Sequence, residues 1–60
     1  MNSRYLIDVL KANGWYEVKV RGSHHYFKHP VIKTKVTVPH PKKDLPIGTA
    51  NRILKDAQIK

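Results

Sequence analysis

Four histidines, His24, His25, His29 and His40, are the side chains here best suited to moving a proton near neutral pH, because an imidazole ordinarily titrates at about 6.5. Two of them are adjacent. His24 and His25 follow the flexible pair Gly22 and Ser23 and lead into Tyr26 and Phe27, with Arg21 before them and Lys28 after. Imidazoles on a cationic surface point to phosphodiester chemistry. Metal-free RNA cleavage needs little more: a base takes the proton of a ribose 2′-hydroxyl, that oxygen attacks the adjacent phosphorus, an acid protonates the leaving 5′-oxygen, and cations stabilise the charged phosphorane. DNA lacks the internal nucleophile.

Other chemistries fit less well. On a strand, His25 and His29 share a face but lie roughly 13 Å apart at ~3.3 Å per residue, and His24 and His25 point to opposite faces, so a shared metal would require a sharp bend. Two-metal catalysis wants clustered carboxylates, whereas Asp8, Glu17, Asp44 and Asp56 are scattered. Neither a metal nor a cofactor is expected. A covalent mechanism through Ser23 lacks a suitably placed base, since His24 projects from the other side of an extended chain.

The elements that must carry these groups are legible from periodicity. Ser3 is placed to cap a first helix through Asn13, with Leu6, Val9 and Leu10 facing inward, Tyr5 or Asn13 at the edges, and Gly14 as its left-handed terminator. From Trp15 to Arg21 the period is two: Tyr16, Val18 and Val20 point one way, and Glu17, Lys19 and Arg21 the other. Gly22 and Ser23 turn the chain into a second strand, His24 to about His29, with His25, Phe27 and His29 on one face and His24, Tyr26 and Lys28 on the other. If Phe27 is core, His24 faces outward. A third strand spans Lys35 to Pro39 with Val36 and Val38 inward, followed by the cationic loop His40 to Asp44. Ile47, Ala50, Ile53, Leu54 and Ala57 then mark a second amphipathic helix, with Pro46 in its first turn and Asp44 or Thr49 as cap. The expected class is α+β in the order α-β-β-β-α, a three-stranded antiparallel sheet with both helices on one face.

Sixty residues are expected to make one domain, residues 1–60, with a small core. Twelve Lys and Arg against four Asp and Glu give a formal charge of +8, which favours a polyanion or an acidic protein as partner. The absence of cysteine suits a reducing compartment. With neither a signal-peptide pattern nor an apolar run long enough to span a bilayer, a soluble cytoplasmic protein without membrane partners is expected.

The chain resembles the HicA family of small toxin ribonucleases from bacterial type II toxin–antitoxin pairs. The resemblance covers nearly the whole sequence: Leu6, Leu10, Gly14 and Trp15; then Gly22, Ser23, His24, Phe27, His29 and Pro30; then Val36, Thr37, Val38 and Pro39; and finally Gly48, Thr49, Ile53 and Leu54. It implies a fold like the double-stranded RNA-binding domain, cleavage of mRNA, and neutralisation by a HicB-like antitoxin, with any oligomer formed through that complex. It also implies that the histidine of the Gly, Ser, His motif, His24, is catalytic, with His25 the runner-up. Arg21, Ser23, Lys28, Lys42 and Lys43 are the expected RNA contacts. His25, His40, Tyr26 or a water is left as the second proton-transfer group. Gln58 stands where many relatives have glycine, which bears on how the last helix ends. The competing reading is a non-catalytic RNA-binding module that uses the same fold and charge.

Overall fold

Asn2, not Ser3, starts the first helix: its side-chain oxygen accepts the Tyr5 N–H at 2.7 Å, and α1 spans Ser3–Ala12. The structure, a computed structural model, describes residues 1–59. Ser3 is unavailable as a cap because it is buried, with its hydroxyl turned to partners far along the chain. Leu6, Ile7 and Leu10 form the buried stripe of α1, and the expected Val9 is only half-buried. At the C-terminus the Gly14 N–H reaches the Lys11 carbonyl and the Trp15 N–H the Leu10 carbonyl, the paired bonds of a Schellman ending. Gly14 sits at φ +92.

The strands are β1 (Tyr16–Arg21), β2 (His24–Lys28) and β3 (Val36–Pro39), in the spatial order β1-β2-β3 and antiparallel throughout. Helix α2 (Ile47–Asp56) completes the order α-β-β-β-α. Directly opposed residues share a face of the sheet. Phe27 opposes Val36 and His25 opposes Val38, so these four point together. Phe27, Val36 and Val38 are buried against Leu6 and Leu10 of α1 and Ile53 of α2, which puts both helices on that face. The opposite face carries His24, Tyr26 and Lys28 and is open.

Strand β1 departs from the expected alternation. A bulge between Glu17 and Lys19 places Glu17 opposite Phe27 and Val20 opposite His25, on the helix side, whereas Tyr16, Lys19 and Arg21 fall on the open face. Tyr16, Val18 and Val20 were expected to share a half-buried face. They are instead 49%, 45% and 52% exposed, because β1 is an edge strand and the helices pack chiefly over β3. Trp15, just before β1, is buried in the core in their stead.

Two more anchors were invisible to periodicity. Leu45 is buried, and its N–H bonds the Met1 carbonyl at 2.7 Å, tying the chain before α2 to the N-terminus. Pro46 is the N-cap position of α2, with no side-chain cap from Asp44 or Thr49. Ile47, expected inside, is 77% exposed, since α2 buries Ala50 and Ile53. His29 is a structural residue: its Nδ1 accepts the N–H groups of Val31 and Ile32, and its Nε2–H donates to the Asn13 carbonyl. Its ring lies 5.2 Å from that of Trp15, locking the β2–β3 connection onto the end of α1.

Helix α2 also closes with a Schellman ending, Gln58 N–H to Lys55 and Ile59 N–H to Leu54, but here a non-glycine residue occupies the left-handed position at φ 58. That conformation costs an L-residue roughly 1–2 kcal/mol. Gln58→Gly is therefore expected to stabilise the fold by about 0.5–1 kcal/mol once the greater freedom of unfolded glycine is subtracted. Gly14→Ala is expected to destabilise it by at least about 1–2 kcal/mol, because a Cβ there would also stand 2.9 Å from His29 Nε2. Urea unfolding of both variants checks the opposite signs.

Candidate functional site

The β1–β2 hairpin turns through Gly22 and Ser23, with Arg21 and His24 paired across it. Gly22 takes φ +59 and Ser23 does not have positive φ, the pattern of a type II′ turn whose twist matches that of the strands. His24 follows immediately, exposed at the start of the central strand, with Arg21 opposite on one side and Pro39 on the other. Its imidazole makes no hydrogen bond to any of the described residues, so both nitrogens are free for a ligand. Along the same face run Lys19, Tyr26, Thr37 and Lys28, giving the histidine a cationic and aromatic surround.

His25 is built differently. It points to the helix side, half-buried, with Nδ1 bonded to Glu17 Oε1. The β1 bulge is what delivers this carboxylate. On its other side His25 meets the His40 ring nearly edge-on, with centroids 5.0 Å apart. His40 Nδ1 is 2.6 Å from the hydroxyl of Ser3, and the same oxygen accepts the Lys42 N–H at 2.8 Å. Donating its one proton to His40 Nδ1 is the arrangement that satisfies this buried hydroxyl, and it leaves the His40 proton on Nε2.

Glu17, His25, His40 and Ser3 thus form a continuous polar chain behind the sheet, while His24 stands alone in front of it. The paired histidines of the sequence are separated by the sheet, and the two that meet are His25 and His40. The loop carrying Lys42 and Lys43 begins beside the hairpin, where the His40 N–H donates to the Ser23 carbonyl at 2.8 Å. It then passes to the helix side, where both lysines line a cleft of about 450 Å³ with Arg4, Asn2 and His40. Arg21 and Lys28 share the face of His24; Lys42 and Lys43 occupy the neighbouring edge. Among the described residues, no three His, Asp or Glu side chains are grouped closely enough to hold a metal ion, and no helix is long and apolar enough to cross a membrane.

Sequence reasoning did not find Ser3, Arg4 or Glu17 at this site. Ser3 carried the signature of a helix cap, which masks a long-range role. Glu17 lies on the face opposite to the one simple alternation predicts, because a bulge leaves no mark in hydropathy.

A family profile described as the HicA toxin of bacterial toxin–antitoxin systems matches residues 3–59. No curated protein matches the chain.

The Ser3 hydroxyl holds the His40–Lys42 loop against α1 with two bonds. Ser3→Ala is expected to cost about 0.5–1.5 kcal/mol, the net worth of a hydrogen bond whose partner water can reach, and to speed exchange of the Lys42 amide proton. Urea unfolding and amide exchange followed by NMR read the two effects separately; an unchanged Lys42 exchange rate would show that the hydroxyl does not hold the loop.

Proposed function

The chain belongs to the HicA toxin family of bacterial toxin–antitoxin systems, and from that footing we propose that it is an endoribonuclease that cleaves mRNA without a metal ion, with His24 as the catalytic histidine. The observation that carries this reading is the isolation of His24. Its imidazole is exposed and unbonded among the described residues, directly across the hairpin from Arg21, whereas each of the other histidines is tied to a partner.

In this reading His24 transfers a proton at the scissile phosphate, acting on the attacking 2′-oxygen or the leaving 5′-oxygen. Arg21, with a fixed fork of donors that matches phosphate geometry, stabilises the extra negative charge of the phosphorane. Ser23 adds a hydroxyl at the turn, and Lys28 holds the strand further along the same face. Lys42 and Lys43, with Arg4 beside them, take phosphates where the RNA leaves the sheet edge. The second proton passes through Tyr26 or a water, since His25 and His40 are engaged on the helix side. Attack by the 2′-oxygen leaves a 2′,3′-cyclic phosphate and a 5′-hydroxyl.

As a toxin of such a system the protein has an antitoxin partner; we take it to be HicB-like, to act in the cytoplasm, and to cover His24 with an acidic or occluding surface. Charge complementarity to a +8 chain supports this.

RNA incubated in chelator with the wild type is expected to yield cyclic-phosphate ends, and His24→Ala is expected to lower the rate by about 10²–10⁴, the usual contribution of a general acid or base. Equal cleavage by both proteins would remove His24 from the mechanism, and salt-sensitive binding without new RNA ends would make this a binding module instead. Replacing Lys42 and Lys43 together by alanine is expected to weaken RNA binding and to lower the salt slope by up to about two counterions. Co-expression with the neighbouring reading frame should yield a stoichiometric complex lacking ribonuclease activity.

A further inference from the structure

We propose that the cleft around Tyr26 is a nucleobase site that selects single-stranded RNA beside the scissile phosphate. The inference rests on His24 being the point of cleavage, but the binding it asserts is measurable without cleavage. Tyr26 lies on the open face two residues from His24, opposite Lys19 on one strand and Thr37 on the other. It borders a cleft of about 460 Å³ whose walls are Val18, Lys19, Phe27, Lys28 and Lys35.

The composition of this cleft fits one ligand class. Its ring and its valine make an apolar floor, and its three lysines surround that floor with cations carried on long apolar stems. A flat aromatic ligand attached to phosphates matches both features. The Tyr26 ring is half-buried and held in the central strand, so a base stacking on it meets a platform that loses little entropy on binding. Tyr26 and Lys28 stand on the same face at successive same-side positions beyond His24, ~6.6 Å apart at ~3.3 Å per residue. An extended RNA strand laid along β2 therefore meets a proton-transfer group, a stacking platform and a phosphate cation in turn.

The strand must be single. In a duplex the bases are already stacked on one another and unavailable to an aromatic side chain, and RNA sequence is read from splayed bases for that reason. The fold resembles a duplex-binding domain, whereas this face is equipped for an unpaired nucleotide.

The test uses the full chain and a five-nucleotide RNA carrying 2′-O-methyl groups throughout, which cannot be cleaved by the 2′-oxygen route. Titration followed by aromatic carbon–proton NMR should shift the Tyr26 ring resonances upfield. Tyr26→Leu should weaken binding by about tenfold, within the range for loss of one base–aromatic stack, whereas Tyr26→Phe should bind like the wild type. His24→Ala should also retain binding, so loss of cleavage in that variant and loss of stacking in Tyr26→Leu are separate results. Three results overturn the proposal: Tyr26 resonances that do not move at saturation, equal binding of an abasic strand of the same length, or equal binding of the same sequence as a duplex. Should Tyr26→Leu fail to fold, the ring shift and the abasic comparison on the wild type decide the matter.

Discussion

Burial of Phe27 in the central strand is the constraint on which the rest of this molecule depends. It is the largest fully buried side chain, and it opposes Glu17 on one neighbouring strand and Val36 on the other. In a sheet a slip of one residue would exchange every inward and outward side chain, so holding Phe27 in the core holds His25 inside and His24, Tyr26 and Lys28 outside. A core of this size has few large side chains to spare. Phe27, the largest side chain in that core to lie within a strand, also sets the orientation of the candidate catalytic face.

The four histidines show how one residue type is put to different uses by its neighbours. His29 spends both ring nitrogens on backbone groups and secures a loop. His25 and His40 touch each other and are oriented by Glu17 and Ser3 from opposite ends. His24 has solvent in front of it and a guanidinium across the turn. His29, with both nitrogens committed to the backbone, is a poor proton carrier; His25 and His40 are held through Nδ1 on the helix side of the sheet, and His24, with free nitrogens beside a cation on the open face, is suited to phosphate chemistry. Environment, not residue type, separates the four.

The charge of the chain is distributed to match. Lys19, Arg21 and Lys28 lie on the open face of the sheet, while Arg4, Lys42 and Lys43 gather at its edge beyond the hairpin. The two groups run from β2 to the neighbouring edge without crossing the apolar core. The exposed edge strand β1, with Tyr16, Val18 and Val20 partly in solvent, is the other surface that a partner protein would find available.

Much of this was readable in advance. The two amphipathic helices, the three short strands, the Gly22–Ser23 turn and the outward setting of His24 follow from local periodicity and glycine placement, and the resemblance to the HicA family is borne out by the profile match over residues 3–59. Local pattern and structure part where a local signal has two meanings or none: Ser3 has the chemistry of a cap but is buried, Ile47 has the spacing of a core residue but is exposed, and β1 alternates like a half-buried strand but lies exposed at the sheet edge. The amino-acid sequence by itself determined which faces are apolar, where the chain turns and how much positive charge it carries, because those properties depend on neighbours a few residues away. Only the tertiary structure decided that Ser3 meets His40, that Glu17 meets His25 through a bulge, and that Lys42 and Lys43 leave the face of His24. Those contacts join residues up to 37 positions apart, and it is the packing of helices on a twisted sheet and a bulge in its edge strand, which no local pattern encodes, that bring them together.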